Sequence, residues 1–301
     1  MTLPRRRFLA ITAAAGACTA LPAPAAVPSW SGLALGAEAT ITLHGRTEPD
    51  AAAALDAAVA ALRRIERRFS LFDPASDLVR LNAQGALAAA DPDWHELLAV
   101  ADAVHRASAG RFDPTVQPLW RALAEGRDPA PARALVGWHR VRRNGDAIRL
   151  DPGQALTLNG IAQGFATDAV RDVLRRHGFV RMLVNIGEFA ADGGPWRLGI
   201  ADPAQGVVLT RTLTDGAMAT SSPGALRLGA QGHILDPLGR TDALSAPWST
   251  VTAEADSAAL ADAASTALCL APRGEVGTIK ARLPGLRRVT AIDAAGNIAT
   301  F

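Results

Sequence analysis

The stretch Val180-Arg-Met-Leu-Val-Asn-Ile-Gly-Glu-Phe-Ala-Ala-Asp-Gly-Gly-Pro-Trp-Arg-Leu-Gly-Ile200 decides the fold class. Val180 to Ile186 reads as a strand, Gly193-Gly194 as a turn, and Trp196 to Ile200 as a second strand. Working downstream, Val207 to Leu213, His233 to Leu235, Ser249 to Ala253 and Arg287 to Ile292 have the same character, the last turning at Gly296-Asn297. Helical periodicity lies on either side of these runs. Asp50 is placed to cap a helix carrying Leu55, Val59, Leu62, Ile65 and Phe69. A second helix runs from about Trp94 to Ala109, with Leu97, Leu98, Ala101 and Val104, and Gly110 stops it. A third opens near Asn159 and carries Ile161, Phe165, Ala169 and Val173 up to Gly178. A fourth spans about Ser257 to Leu270. Strands therefore cluster instead of alternating with helices one by one, which specifies α+β with mixed sheets covered by helices.

Composition sets outer limits. The chain has 301 residues, 49% apolar and 20% charged, enough for one large domain or two closely packed ones. The formal charge of +2 argues against a nucleic-acid binder. Two cysteines exclude a disulfide scaffold and a Cys-built zinc site. Residues 1–26 read as a secretory leader: Arg5-Arg6-Arg7 before Phe8-Leu9, a short apolar run from Ala10 to Ala17, and an Ala23–Ala25 cleavage site. The paired arginines resemble a twin-arginine signal, so the expected location is the periplasm. Removing Arg5, Arg6 and Arg7 from the 31 basic residues leaves 28 against 29 acidic ones. Cys18 is a weak candidate for a lipid anchor, and Cys269 reads as a buried small hydrophobe. The expected organisation is a leader at 1–26 and one domain at 27–301, with a loop or subdomain seam at Arg127-Asp-Pro-Ala-Pro131.

Five segments hold residues suited to chemistry. Phe69 to Asn82 leaves the first helix through Asp73-Pro74, with Ser76 as a cap. Gly110-Arg111-Phe112-Asp113-Pro114-Thr115 follows a helix end; its aromatic, carboxylate and backbone suit a planar ring and a ribose or amide edge, and equally a simple Asp-Pro turn. Thr157-Leu-Asn-Gly160-Ile-Ala-Gln163-Gly-Phe165 passes from strand to helix; such a junction presents N–H groups to phosphate oxygens, but it lacks P-loop or dinucleotide spacing and its glycines read first as a simple tight turn. Gly232-His233-Ile-Leu235-Asp236-Pro237 sets an imidazole before a sharp turn, downstream of Ala219-Thr220-Ser221-Ser222. Asp262-Ala-Ala-Ser265-Thr266 puts a carboxylate and two hydroxyls on one helix face, a donor set for a hard cation such as Mg²⁺.

Taken in order, Phe-Ser-x-Phe-x-x-x-Ser, Leu-Asn, Gly-x-Phe-Asp-Pro-Thr, Asn-Gly-Ile-Ala-x-Gly-Phe, Asn185-Ile186-Gly187, Thr220-Ser221, His233-x-x-Asp236-Pro237 and Asp262-x-x-Ser-Thr266 resemble the ApbE family of FAD:protein FMN transferases. The resemblance spans roughly Leu35 to Leu270. It implies a T-fold-related α+β architecture with largely antiparallel sheets flanked by helices. It implies an enzyme that uses Mg²⁺ and FAD, moves FMN onto a threonine hydroxyl of an exported redox protein, and releases AMP. The metal ligands then fall on Asp262, Ser265, Thr266 and the Gly160 carbonyl. The flavin contacts fall on Leu35, Phe72, Arg111, Phe112, Asp113, Thr157, Gln163 and Leu235. The catalytic residues of this reading are His233, as base, and Asp262. Two positions depart from the family: Thr157 stands where Asp is common and Gln163 where Lys is frequent, so the field near the diphosphate is altered. An FAD pyrophosphatase and a non-catalytic FAD-binding scaffold are the two other readings.

Overall fold

A computed structural model describes residues 27–45, 48–228, 231–240 and 246–301. The expected leader at 1–26, including Cys18, lies outside the described residues.

The chain begins with β1 (Ser29–Ala34) and β2 (Ala37–Leu43), followed by α1 (Glu48–Phe69), α2 (Asp77–Gln84), β3 (Ala86–Leu87) and α3 (Pro92–Ala107). Next come α4 (Gln117–Ala124), α5 (Pro129–Arg133), β4 (Arg142–Asn144), β5 (Ala147–Arg149) and α6 (Ala162–Arg176). A run of strands follows: β6 (Met182–Ile186), β7 (Phe189–Asp192), β8 (Trp196–Asp202), β9 (Gly206–Leu213), β10 (Gly216–Ser221), β11 (Arg227–Leu228) and β12 (Gln231–Gly232). The chain closes with β13 (Thr250–Ala255), α7 (Ala258–Leu268), α8 (Arg273–Ala281), β14 (Leu286–Ile292) and β15 (Ile298–Thr300).

The centre is an eight-stranded sheet in the order β1-β2-β6-β7-β10-β13-β14-β15. Its neighbouring pairs are all antiparallel. The six residues of β13 are all buried, as a central strand covered on its faces requires. β8 and β9 form a separate ribbon that closes a second apolar cluster around Leu198, Ile200, Leu213 and Met218.

α1 packs on α6, and α6 on α7. On α1 the fully covered stripe is Ala51, Ala54, Ala58, Leu62, Ile65 and Phe69, while Leu55 is only partly buried. Small alanines make this face, which lets the helices approach closely. At Gly164 the approach is at its limit, since an added Cβ would stand 2.2 Å from the Ala258 carbonyl oxygen.

Several expectations require correction. The helix expected from Asp50 starts earlier, at Glu48, leaving Asp50 inside its first turn, where a negative charge favours the positive helix end. Asp91 caps α3, which begins at Pro92, ahead of the expected Trp94, and Gly110 with φ +79° ends the turn beyond it. Asn159 does not open α6, which starts at Ala162 after a turn. Nor is Thr157 in a strand; it is held by its N–H to the Pro114 carbonyl at 2.8 Å. His233 to Leu235 is also not a strand, because Asp236 takes the N–H groups of Leu238 and Arg240 and turns the chain. The loop expected at 127–131 holds for residues 127–128 and then enters α5, which Asp128 caps through the Ala130 N–H. Ser76 caps α2 through the Val79 N–H, and Cys269 is fully buried, both as read from sequence.

Candidate functional site

α6 and α7 hold each other by their first turns. Asp168 of α6 accepts the N–H groups of Ala258 and Ala259 at 2.9 Å each, capping α7. Asp262 of α7 accepts the Gly164 N–H at 3.1 Å through Oδ2, capping α6. Each carboxylate thus satisfies an otherwise unpaired helix-end donor and meets the positive end of the partner's dipole. Burial raises the Asp168 carboxyl above its ordinary value, and its two backbone donors and Arg171 oppose that shift.

Around Asp262 the donors are all oxygens. Ser265 Oγ donates to the Asp262 carbonyl at 2.9 Å, so Ser221 Oγ, 2.8 Å from it, is the donor in that contact. Ser221 Oγ in turn lies 3.3 Å from Thr266 Oγ1. The protons then run from Thr266 to Ser221 to Ser265, which leaves the lone pairs of Thr266 free to accept or ligate. Gly160 closes the pocket from the loop before α6. A Cβ there would stand 2.9 Å from Thr266 Oγ1 and 3.4 Å from Phe112 Cε2, so only glycine leaves this space open. Four predicted residues, Gly160, Phe112, Ser265 and Thr266, therefore meet beside Asp262. Burial lifts the Asp262 carboxyl from 3.8 to about 7. Glu188, in the β6–β7 turn, is raised well above its ordinary value, first by burial and then by the charge of Asp262.

The expected phosphate cradle at 157–165 is largely occupied by its own chain. Leu158 O takes the N–H groups of Ile161 and Ala162, Thr157 Oγ1 takes that of Asn159, and Asp262 takes that of Gly164. A tight turn into a helix has to satisfy its own first donors, and this one does so internally.

The remaining predicted residues are spread over several elements. Arg111 donates to Leu270 O at 3.2 Å and Ser108 O at 3.1 Å and pairs with Glu275 at 2.9 Å, which ties the end of α3 to α7 and α8. Asp113 accepts Thr115 N and Oγ1 through Oδ1, and Trp138 N at 3.1 Å through Oδ2. Both side chains thus build the loop that presents Phe112. Gln163 lies over Gly187, where a Cβ would meet its amide at 2.7 Å. Leu35 sits in the β1–β2 turn with φ +48°, its N–H given to Glu66 Oε1 at 3.0 Å. Phe72 is 64% exposed and lines a cleft of about 360 Å³ with Leu71, Asn82, Trp120, Arg121 and Asn159. Asn159 joins that cleft to the Gly160 loop. Leu235 is buried in a separate apolar cluster with Leu119, Ala122 and Leu228.

His233 is partly buried, and its Nδ1 lies 3.2 Å from the Pro223 carbonyl. A carbonyl only accepts, so Nδ1 carries the proton and Nε2 keeps its lone pair. Burial lowers the His233 pKa, opposed by its bonds to the Pro223 and Leu226 backbone. Sequence reading missed Glu188 and Asp168. The signal for Glu188 was one acid inside the apolar run Ile186-Gly-Glu-Phe-Ala-Ala191.

An antiparallel sheet with this helix pair and oxygen-lined pocket defines an α+β class shared with known proteins. The ApbE family model matches residues 35–288, and the chain belongs to that family. The chain is 30% identical over 311 aligned positions to an FAD:protein FMN transferase of Rhodobacter capsulatus, covering 94% of this chain and 59% of that protein. It therefore spans less than two thirds of that relative's length. It is similar to the apo Pseudomonas stutzeri flavinyl transferase ApbE, with a TM-score of 0.75 and 26% identity over 91% of this chain and 95% of that one. The fold also matches the Vibrio cholerae flavin transferase ApbE, with a TM-score of 0.77 and 23% identity over 92% and 97% of the two chains.

Proposed function

We propose that this chain transfers the FMN half of FAD to a threonine hydroxyl of an exported redox protein, releasing AMP. The observation that carries the reading is the meeting of Asp262, Ser265, Thr266 and Gly160 in one buried pocket of oxygen donors. The donor chemistry and the space kept by Gly160 suit Mg²⁺, which prefers hard oxygen ligands and retains waters. Asp262, Thr266 and the Gly160 carbonyl would hold the ion. When bound there, it supplies charge neutralisation for diphosphate oxygens.

In the transfer, the acceptor threonine oxygen forms a bond to the FMN phosphorus as the bond from that phosphorus to AMP breaks. His233 takes the threonine proton at Nε2. The Pro223 carbonyl holds the ring's other nitrogen, and the lowered pKa keeps the imidazole neutral near pH 7. General-base assistance of this kind is worth about 10²- to 10⁴-fold. Phe72 and Phe112 offer aromatic surface to the flavin or adenine ring, Leu35 offers apolar contact, and Thr157 and Gln163 offer neutral hydrogen bonds, while Leu235 anchors the His233 loop in its own apolar cluster. With their side chains committed to the loop, Arg111 and Asp113 serve the site by holding Phe112 in place. Twin-arginine export places the reaction in the periplasm.

The test incubates the mature chain with FAD and Mg²⁺, with and without a threonine-bearing exported acceptor, and follows AMP and the acceptor mass. A flavin phosphate adduct on the acceptor is the expected result. AMP release that ignores the acceptor makes the chain an FAD pyrophosphatase instead. Asp262→Ala should abolish metal-dependent AMP release in a folded chain, and a folded, fully active variant removes Asp262 from the mechanism.

A further inference from the structure

Glu188 occupies an unusual place for a carboxylate. It lies in the two-residue turn Gly187-Glu188 between β6 and β7, closed by the Ile186 N–H to the Glu188 carbonyl at 3.1 Å. Turn residues ordinarily face water, yet Glu188 is only 9% exposed. Its turn is fastened to α6, since Thr167 Oγ1 lies within hydrogen-bonding distance of both the Gln163 and Glu188 carbonyls. Its side chain reaches across to β10, where Oε2 accepts the Thr220 N–H at 3.1 Å. Thr220 directly precedes Ser221, whose hydroxyl touches Ser265 and Thr266. Glu188 is thus tied to the strand that carries Ser221 to the pocket, close enough for the charge of Asp262 to act on it, while Asp262 stands on α7.

Among the described residues, neither carboxylate has a cationic side chain as a partner; each is offset by a single backbone donor, Thr220 N for Glu188 and Gly164 N for Asp262. Two buried acids in one pocket without a cation are costly, and proteins keep such pairs where a metal ion supplies the missing charge. Resting on the reading of this pocket as the Mg²⁺ site, we propose that Glu188 is a second carboxylate of that site, facing Asp262. With Oε2 committed to Thr220, Oε1 is the atom left for the ion or a water bound to it. Affinity for hard cations rises with the number of charged oxygen ligands, so Glu188 tunes how tightly the pocket holds the ion.

The test uses Mn²⁺ alone as the probe, counted by the electron paramagnetic resonance of the free ion, with Mg²⁺ as competitor and no FAD. Wild type, Glu188→Gln, Glu188→Asp and Asp262→Asn are compared, with thermal melts in EDTA and in Mg²⁺. Glu188→Gln is expected to weaken Mn²⁺ binding by about tenfold or more. Its metal-free melt should be no lower than wild type, because a buried carboxyl without a cationic partner is gone, while Mg²⁺ should raise its melt less. Glu188→Asp, which keeps the charge, should bind more tightly than Glu188→Gln. Binding by Glu188→Gln within about twofold of wild type, or equal binding by the two Glu188 variants, overturns the role of Glu188. If Asp262→Asn also binds like wild type, the pocket itself is not the cation site, and the broader reading fails with it.

Discussion

Gly164→Ala sets two physical effects against each other. On helix propensity alone, alanine within α6 should stabilise the chain by about 1 kcal/mol. The packing says the reverse. The new methyl carbon would stand 2.2 Å from the Ala258 carbonyl oxygen, 2.6 Å from its carbon and 2.8 Å from Ala259 N. All three atoms belong to the backbone at the start of α7, and no side-chain rotation removes them. Restoring ordinary contact at 3.4 Å requires α6 and α7 to separate locally by about 1.2 Å. That movement also stretches the 3.1 Å bond from Gly164 N to Asp262. Overpacking costs about 1–3 kcal/mol, and loss of a hydrogen bond to a charged group about 1.5–3 kcal/mol. After subtracting the propensity gain, a net loss of about 1.5–5 kcal/mol is expected. Urea unfolding followed by circular dichroism measures it, and Mn²⁺ binding to the folded variant reports whether Asp262 has moved. An alanine variant equal to or more stable than wild type would refute the close-approach argument.

Two further outcomes are expected from the same helix pair. Asp168→Ala strips two N–H groups of α7 of their acceptor and leaves Arg171 without its carboxylate, which should cost about 3 kcal/mol in urea unfolding. A change under about 0.5 kcal/mol would show that α7 needs no such cap. The pH dependence of the metal-free protein carries a definite sign. Asp262 titrates at about 7 when folded and at 3.8 when not, so the folded form keeps a proton that the unfolded chain releases. Its contribution is fully present below 3.8 and is lost as pH rises through about 7. Asp262→Asn should lose less stability over that window in EDTA; parallel curves would show that Asp262 is not the group responsible.

Local chemistry made much of this molecule legible before any coordinates. Ser76, Ser257 and Gly110 mark helix boundaries because capping and left-handed turns depend on single residue types. Asp262, Ser265 and Thr266 share a helix face because helix geometry alone puts them there. Where local signals compete, composition alone misleads. His233 to Leu235 has strand-like composition, yet the turn built by Asp236 overrides it. β1 and β2 went unread, and they turn through Leu35 and Gly36, both at positive φ, a conformation leucine rarely signals.

The sequence by itself determined the α+β class, the Ser76 and Ser257 helix starts and the carboxylate-hydroxyl face of α7, since each depends on residues within a turn or two of one another. Only the tertiary structure decided the eight-strand order, the reciprocal capping by Asp168 and Asp262, and the arrival of Gly160, Ser221 and Glu188 at the same pocket. Those contacts join residues far apart in the chain, Gly164 with Asp262 across 98 positions and Thr220 with Glu188 across 32. No local periodicity encodes such pairs; they are fixed by the helices and sheet burying their apolar faces against each other.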